Sequence, residues 1–159
     1  MFYRILFICL AGLLLAKEGA PSGGAGSIDI VAQRFTSVGN TTTISGNVKI
    51  KKGSDTLDAD TVVIHTDNKR NPISYEAKGS VRFTIITTDK RELRGRSKRL
   101  IYTVAKDEYR LYDDAFVEEI GQPNTLKGDE IVLGRDGSYA TVVGKSKNPA
   151  RITFTINKN

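Results

Sequence analysis

Apolar and polar residues alternate along most of this chain, and the alternation recurs in three related units. The units cover residues 46–50 with 57–64, 79–83 with 93–100, and 114–118 with 126–133. They open at positions 46, 79 and 114, a spacing within the ~20–50 residues of structural repeats. Because a period of two with many Val, Ile, Thr, Tyr and Phe residues is typical of strands, the units predict stacked β-structure. Such a stack is more often a binding scaffold than an enzyme.

The alternation changes parity inside the second strand of each unit. Leu57 and Ala59 lie on one parity, whereas Val62 and Ile64 lie on the other. The same switch separates residues 93 and 95 from 100 and 102, and residues 126 and 128 from 131 and 133. A flat strand would then turn half of these side chains outwards. We therefore predict a bulge or corner at 59–60, 95–96 and 128–129, which curls the sheet around an apolar concave face.

The apolar alternates of successive strands are predicted to point into this concave face. They are Val48, Ile50, Val62, Ile64, Val81, Phe83, Leu100, Tyr102, Phe116, Ile131, Leu133, Ile152 and Phe154. Ordinary core packing is the alternative role for the most central of them.

The first residues have the pattern of an export signal. Arg4 precedes an apolar run that ends at Ala16, which predicts a signal peptide at 1–16, with an uncleaved anchor as the alternative. A glycine-rich tether is predicted at 17–27, the β-domain at 28–156 and a polar tail at 157–159. The single Cys9 lies in the leader, so the exported chain would have no thiol for disulfides or metal ligation.

Candidate catalytic and metal-binding residues are weak in this sequence. His65 is the only histidine and has no base or nucleophile beside it. Asp58 and Asp60 could hold a cation, but the equivalent positions of the second unit are both arginine. Glu118 and Glu119 are adjacent on a strand and therefore point to opposite faces. We expect a protein that is not an enzyme and has no metal or cofactor.

Four phrases resemble the OstA-like family of lipopolysaccharide-transport proteins, the LptA type. They lie at residues 46–48, 57–60, 101–107 and 126–131 and read GNV, LDAD, IYTVAKD and LKGDEI. The resemblance implies an all-β fold, a twisted, V-shaped antiparallel β-jelly roll with open edges. It also implies a periplasmic protein whose interior holds the acyl chains of lipid A. Its implied partners are an LptC-like protein of the inner membrane, an LptD-like translocon of the outer membrane and further copies of itself.

The charge pattern suggests a second contact with the lipid. The net charge is +6, and cations concentrate between residues 90 and 99. Arg94, Arg96 and Lys98 are predicted to share a face and to bind head-group phosphates near the rim of the groove, although a solvated charged face is equally compatible. Nucleic-acid binding is disfavoured, because no aromatic residue lies between Phe83 and Tyr102 on which bases could stack.

The first and last strands are predicted to be open edges. Neither 28–32 nor 151–156 contains proline or an inward charge, which are the usual protections against edge pairing. The predicted assembly residues are Ile28, Ile30, Ile152, Phe154 and Ile156. We expect head-to-tail pairing that builds filaments. An anchored LptC-like component of the same pathway and an envelope scaffold without lipid are the alternative functions.

Overall fold

The computed structural model describes residues 28–156. The predicted signal peptide, tether and tail, and with them Cys9, lie outside the described residues. The described chain forms ten strands and a short 3₁₀ helix, Val104–Lys106. The strands are β1 Ile28–Val31, β2 Arg34–Val38, β3 Thr41–Lys52, β4 Asp55–Thr66, β5 Pro72–Ile86, β6 Glu92–Thr103, β7 Glu108–Glu119, β8 Thr125–Gly134, β9 Ala140–Val143 and β10 Arg151–Thr153. Within residues 28–156 no helix is long and apolar enough to cross a membrane.

All ten strands belong to one antiparallel sheet in the order β1-β3-β4-β5-β6-β7-β8-β10. Two strands lie off this path. β2 pairs with residues 41–45 of β3, whereas β1 pairs with residues 49–52 of the same strand. Likewise β9 pairs with residues 130–133 of β8, whereas β10 pairs with residues 125–127. The long strands therefore contribute one half to each of two arms, which we name the β1–β10 arm and the β2–β9 arm after their edge strands.

A row of bulges separates the two arms. The register shifts at Gly46 and Asn47 of β3, at Gly79 and Ser80 of β5, and at Asp113 and Asp114 of β7. All six residues have a positive φ, between 46° and 85°. Two consecutive left-handed residues turn the strand sharply, so side chains on both arms still face the same interior.

The predicted row of corners is confirmed, but the strands that carry the extra residues were predicted wrongly. The predicted sites at 59–60, 95–96 and 128–129 lie on β4, β6 and β8, whereas the bulges lie on the neighbouring strands. Gly95 has a different role: a Cβ there would collide with the ring of Phe83. In the third unit aspartates replace the bulge glycines, because Asp tolerates the left-handed conformation better than most residues.

The hydrophobic core lies between the arms. The β2–β9 arm contributes the buried Ile44, Val62, Leu100, Leu111 and Ile131, and the β1–β10 arm contributes Val48, Val81, Phe83, Ile85 and Val117. Phe83 and Tyr109 join the two sides, with rings stacked at 6.4 Å between centroids and an interplanar angle of 4°. The sheet therefore folds over on itself around an apolar interior, as the alternation predicts.

Candidate functional site

A cavity of about 210 Å³ lies inside the fold, between the two arms. Its wall is mostly aliphatic and aromatic and includes Ile50, Leu57, Val62, Ile64, Tyr75, Phe83, Ile85, Leu100, Tyr102 and Tyr109. Lys52, Asp55 and Arg135 supply polar groups to the same cavity. The cavity therefore suits an apolar chain that has a polar group at one end.

Three tyrosines form one side of the cavity. Tyr102 lies between Tyr75 and Tyr109, with centroid distances of 6.0 Å and 4.7 Å. Burial raises the pKa of Tyr75 and of Tyr109 to about 12. The pKa of Tyr102 is also raised, first by burial and then by its hydrogen bond to Oδ1 of Asp107 at 2.5 Å. All three stay neutral at physiological pH, so this wall carries no charge.

An ion pair joins the arms at the cavity. Nη2 of Arg135, in the loop after β8, donates to Oδ2 of Asp55 at 3.1 Å. Asp55 begins β4 on the other arm, and its Oδ1 accepts the Ile86 N–H at 2.9 Å. Burial opposes the charge of Arg135, but nearby Tyr109 and Asp55 outweigh it, so the pKa of this guanidinium is raised. The pair closes the fold at the strand ends, on the side of the sheet away from the bulge row. Two further hydrogen bonds lie beside it: the Thr88 N–H donates to the Arg135 carbonyl at 3.3 Å, and Nη2 of Arg91 donates to the Gly137 carbonyl at 3.1 Å.

A second cavity of about 350 Å³ lies next to the C-terminal edge strands. Leu93, Val117, Leu126 and Leu133 line it together with Ile152 and Phe154. Apolar space is therefore present beside the edge that the sequence analysis predicts to pair with a further protomer.

Twelve of the thirteen predicted interior residues fall into three groups. Eight are buried inside: Val48, Val62, Ile64, Val81, Phe83, Leu100, Ile131 and Leu133. Ile50 and Tyr102 are half-buried and line the first cavity. Ile152 and Phe154 line the second cavity but are 56% and 65% exposed, since β10 has only three residues.

Phe116 does not point inwards as predicted. Ala115 and Val117 take the buried positions of β7, because the Asp113–Asp114 bulge sets the parity of the residues that follow it. Phe116 therefore lies on the outer face, with the Arg96 guanidinium 4.9 Å from its ring centroid.

Sequence reasoning missed several residues of the interior. Tyr109, Leu111 and Ile85 share the alternation of the predicted set and could have been found from it. Asp55 and Arg135 had no signal in the sequence, because they are 80 positions apart and meet only when the arms fold together.

The basic strand lies on the outside of the β1–β10 arm rather than at the rim of the interior. Arg94 and Arg96 flank the inward Gly95, and Lys98 is exposed at the corner. Arg94 pairs with Glu92 at 3.1 Å and Lys98 with Asp114 at 3.5 Å. The sheet therefore separates these cations from the cavity, and their head-group role stays a prediction without a supporting contact.

The arms leave four strands paired on one side within the described residues. They are β1 and β2 at the N-terminal edge, and β9 and β10 at the C-terminal edge. Exposed large apolar side chains concentrate there: Val31, Val38, Val143, Ile152, Phe154 and Ile156. Ile28 and Ile30 of β1 are half-buried against β3. The last strand is shorter than the predicted 151–156, since it ends at Thr153 and the Thr155 N–H donates to Oδ1 of Asn124 at 3.2 Å.

The profile of the family described as "LptA/(LptD N-terminal domain) LPS transport protein" matches residues 29–138. The chain belongs to this family. A similar solved structure is the crystal structure of LptH, the LptA-homologous periplasmic component of the lipopolysaccharide transport device from Pseudomonas aeruginosa. The two chains are 21% identical in sequence, and their structural alignment has a TM-score of 0.69. The alignment covers 87% of this chain and 100% of the LptH chain. No curated protein matches the chain.

Family and fold agree with the resemblance found in the sequence. Membership supports a role in lipopolysaccharide transport, and the likeness to LptH supports the LptA-like β-jelly roll. The bulge row and the two arms are what gives this member its V-shaped, apolar interior.

Proposed function

We propose that this protein binds lipopolysaccharide in the periplasm, covers its acyl chains between the two arms, and bridges the inner and outer membranes without catalysing a reaction. The observation that carries the proposal is the apolar, tyrosine-walled cavity between the arms of a member of a lipopolysaccharide-transport family.

The need for such cover follows from the hydrophobic effect. Each methylene exposed to water costs about 0.8 kcal/mol, so ten exposed methylenes cost about 8 kcal/mol. Several acyl chains would therefore leave a membrane extremely slowly unless a protein replaced the lipid around them. The core side chains of both arms, such as Val62, Phe83 and Leu100, supply that apolar surface.

The arms must separate for the lipid to enter. The cavity of about 210 Å³ is smaller than the ~300–1,000 Å³ of typical ligand sites. Strands run unbroken across the bulge row, so separation there would break the sheet. At the strand ends the arms are held by the Asp55–Arg135 pair and by two further hydrogen bonds, from the Thr88 N–H to the Arg135 carbonyl and from Arg91 to the Gly137 carbonyl. Opening therefore takes place at the strand ends and breaks this pair together with those two hydrogen bonds.

Assembly continues the interior from one protomer to the next. The N-terminal edge of one copy, β1 with Ile28 and Ile30, pairs with the C-terminal edge of another, where Ile152, Phe154 and Ile156 are exposed. This contact does not close on itself and gives a filament. At its ends the N-terminal edge meets an LptC-like inner-membrane partner and the C-terminal edge meets an LptD-like translocon.

Native mass spectrometry of protein gently released from the periplasm tests the proposal. We expect a bound species whose fragments include lipid A, and we expect it to be lost when the chain is unfolded and refolded without lipid. Protein that carries no lipid in repeated preparations would instead indicate an envelope scaffold. Protein that stays with the inner membrane until detergent is added would indicate the LptC-like alternative.

A further inference from the structure

We propose that the outer face of the β1–β10 arm carries a binding site for an acidic sugar chain, built by Arg82, Arg96 and Phe116. A groove of about 360 Å³ lies there, across β4 to β7 and outside the interior cavity. Its walls also include Asp58, Thr84, Arg94 and Glu118, and its floor includes Gly95 and Phe83.

The groove lies on a row of cross-strand neighbours. Asp58 is opposite Arg82, Arg82 is opposite Arg96, and Arg96 is opposite Phe116. The row continues through Lys127 of β8 to Arg151 of β10. Neighbouring strands are about 4.8 Å apart, so the row places two pairs of cations, one on each side of Phe116, along a line perpendicular to the strands.

Two like-charge pairs lie in this row. Arg82 faces Arg96, and Lys127 faces Arg151, in direct register. Like charges directly opposite each other destabilise a sheet. None of these four cations forms a salt bridge within residues 28–156, although Asp58 and Glu118 are close by and Arg94 is paired with Glu92. An anion between the paired cations would offset this repulsion, which is why the arrangement indicates an anionic ligand.

Phe116 narrows the choice of ligand. Its half-buried ring lies beside Lys127 in the row and under the Arg96 guanidinium, which is held 4.9 Å from the ring centroid. An aromatic ring next to arginines offers an apolar surface for the C–H face of a sugar and bidentate donors for its carboxylate or phosphate groups. A flat bilayer would not enter a groove, and a nucleic acid would need several stacking rings in the row.

The polar groups of this site are separate from the proposed lipid site, because they lie on the outer face of the sheet, although Phe83 lines both the groove and the interior cavity. Gly95 turns towards Phe83 in the interior, whereas its neighbours Arg94 and Arg96 face outwards. The sugar chain could be a free acidic polysaccharide or the sugar portion of lipopolysaccharide. Both present the same chemistry to the groove, so lipid-free probes report on the groove alone.

Isothermal titration with decagalacturonate, a chain of ten carboxylate sugars, tests the site. We expect binding that weakens as salt is added, whereas uncharged maltodecaose does not bind. The Arg82→Gln/Arg96→Gln double variant should lose at least tenfold in affinity and should melt no lower than the native protein, since it removes a repulsive pair. Phe116→Leu should weaken binding severalfold and leave the salt dependence unchanged.

The matched control is Arg34→Gln/Lys147→Gln, which removes the same charge from exposed positions outside the groove. We expect this control to lose less than twofold in affinity for decagalacturonate. Equal losses of affinity in the two double variants would show that binding is general electrostatic attraction, and this result would overturn the proposal. Absence of decagalacturonate binding would also overturn it, as would tighter binding to phosphatidylglycerol vesicles than to the sugar chain.

Discussion

Neutralising Asp55 tests whether the pair that joins the arms also limits entry of the lipid. Asp55→Asn keeps an oxygen for the Ile86 N–H but removes the charge that faces Arg135 at 3.1 Å. Hydrogen bonds to charged groups contribute about 1.5–3 kcal/mol, and exposed ion pairs about 0–1 kcal/mol. About a fifth of each side chain is exposed, so we place the loss between these ranges, at about 1–2 kcal/mol of unfolding free energy. A double-mutant cycle with Arg135→Gln isolates the coupling between the two side chains.

The same change should speed the uptake of lipid. If opening breaks the pair, a barrier lowered by about 1–2 kcal/mol accelerates entry about 5–30-fold. Stopped-flow fluorescence with a dye-labelled lipid A measures the association rate at several protein concentrations, and urea unfolding measures the stability of each variant.

Glu76→Gln is the control for this experiment. Its carboxylate pairs with Arg99 at 2.7 Å on neighbouring strands of one arm, so its loss affects stability without releasing the other arm. Faster uptake in Asp55→Asn alone supports the opening mechanism. Unchanged uptake in a destabilised Asp55→Asn, or equal acceleration by Glu76→Gln, would refute it.

Two further changes test the corner and the edges. Gly79→Ala should destabilise the fold by more than Gly53→Ala in urea unfolding: both residues are left-handed, but only at Gly79 would a Cβ collide, with the Asp60 carboxylate. The left-handed conformation alone costs about 1–2 kcal/mol, so equal losses would show that the close packing at the corner contributes nothing. Thr153→Pro on β10 should reduce filament growth in analytical ultracentrifugation, because proline disrupts an edge ladder. A native protein that stays monomeric at high concentration would contradict edge pairing itself.

Much of the fold could be predicted from the sequence, because alternation records which side chains share a face. The parity switches between Ala59 and Val62, and between Gly128 and Ile131, correctly indicated that each strand serves two arms. A switch shows where the corner lies but not which strand carries the extra residues. The pair Asp113–Asp114 has no glycine to reveal its left-handed backbone.

The site was less predictable, for reasons that particular residues illustrate. Residues 115–117 are all apolar, so hydrophobicity could not decide between Phe116 and its neighbours, and choosing the largest side chain gave the wrong face. The register set by the bulge decides it. The pairing of Asp55 with Arg135 depends on how far the arms fold together, which no local pattern records.

Site-specific photocrosslinking in living cells tests the central claim most directly. A photoreactive phenylalanine replaces either Tyr109, which lines the interior cavity and not the outer groove, or Tyr112, which faces outwards on β7 beneath Arg99. Both positions are aromatic in the native chain, so the probe is a modest change at each. We predict that lipopolysaccharide is captured from position 109 and not from position 112. Capture from position 112 alone, or equal capture from both, would contradict an interior path for the lipid.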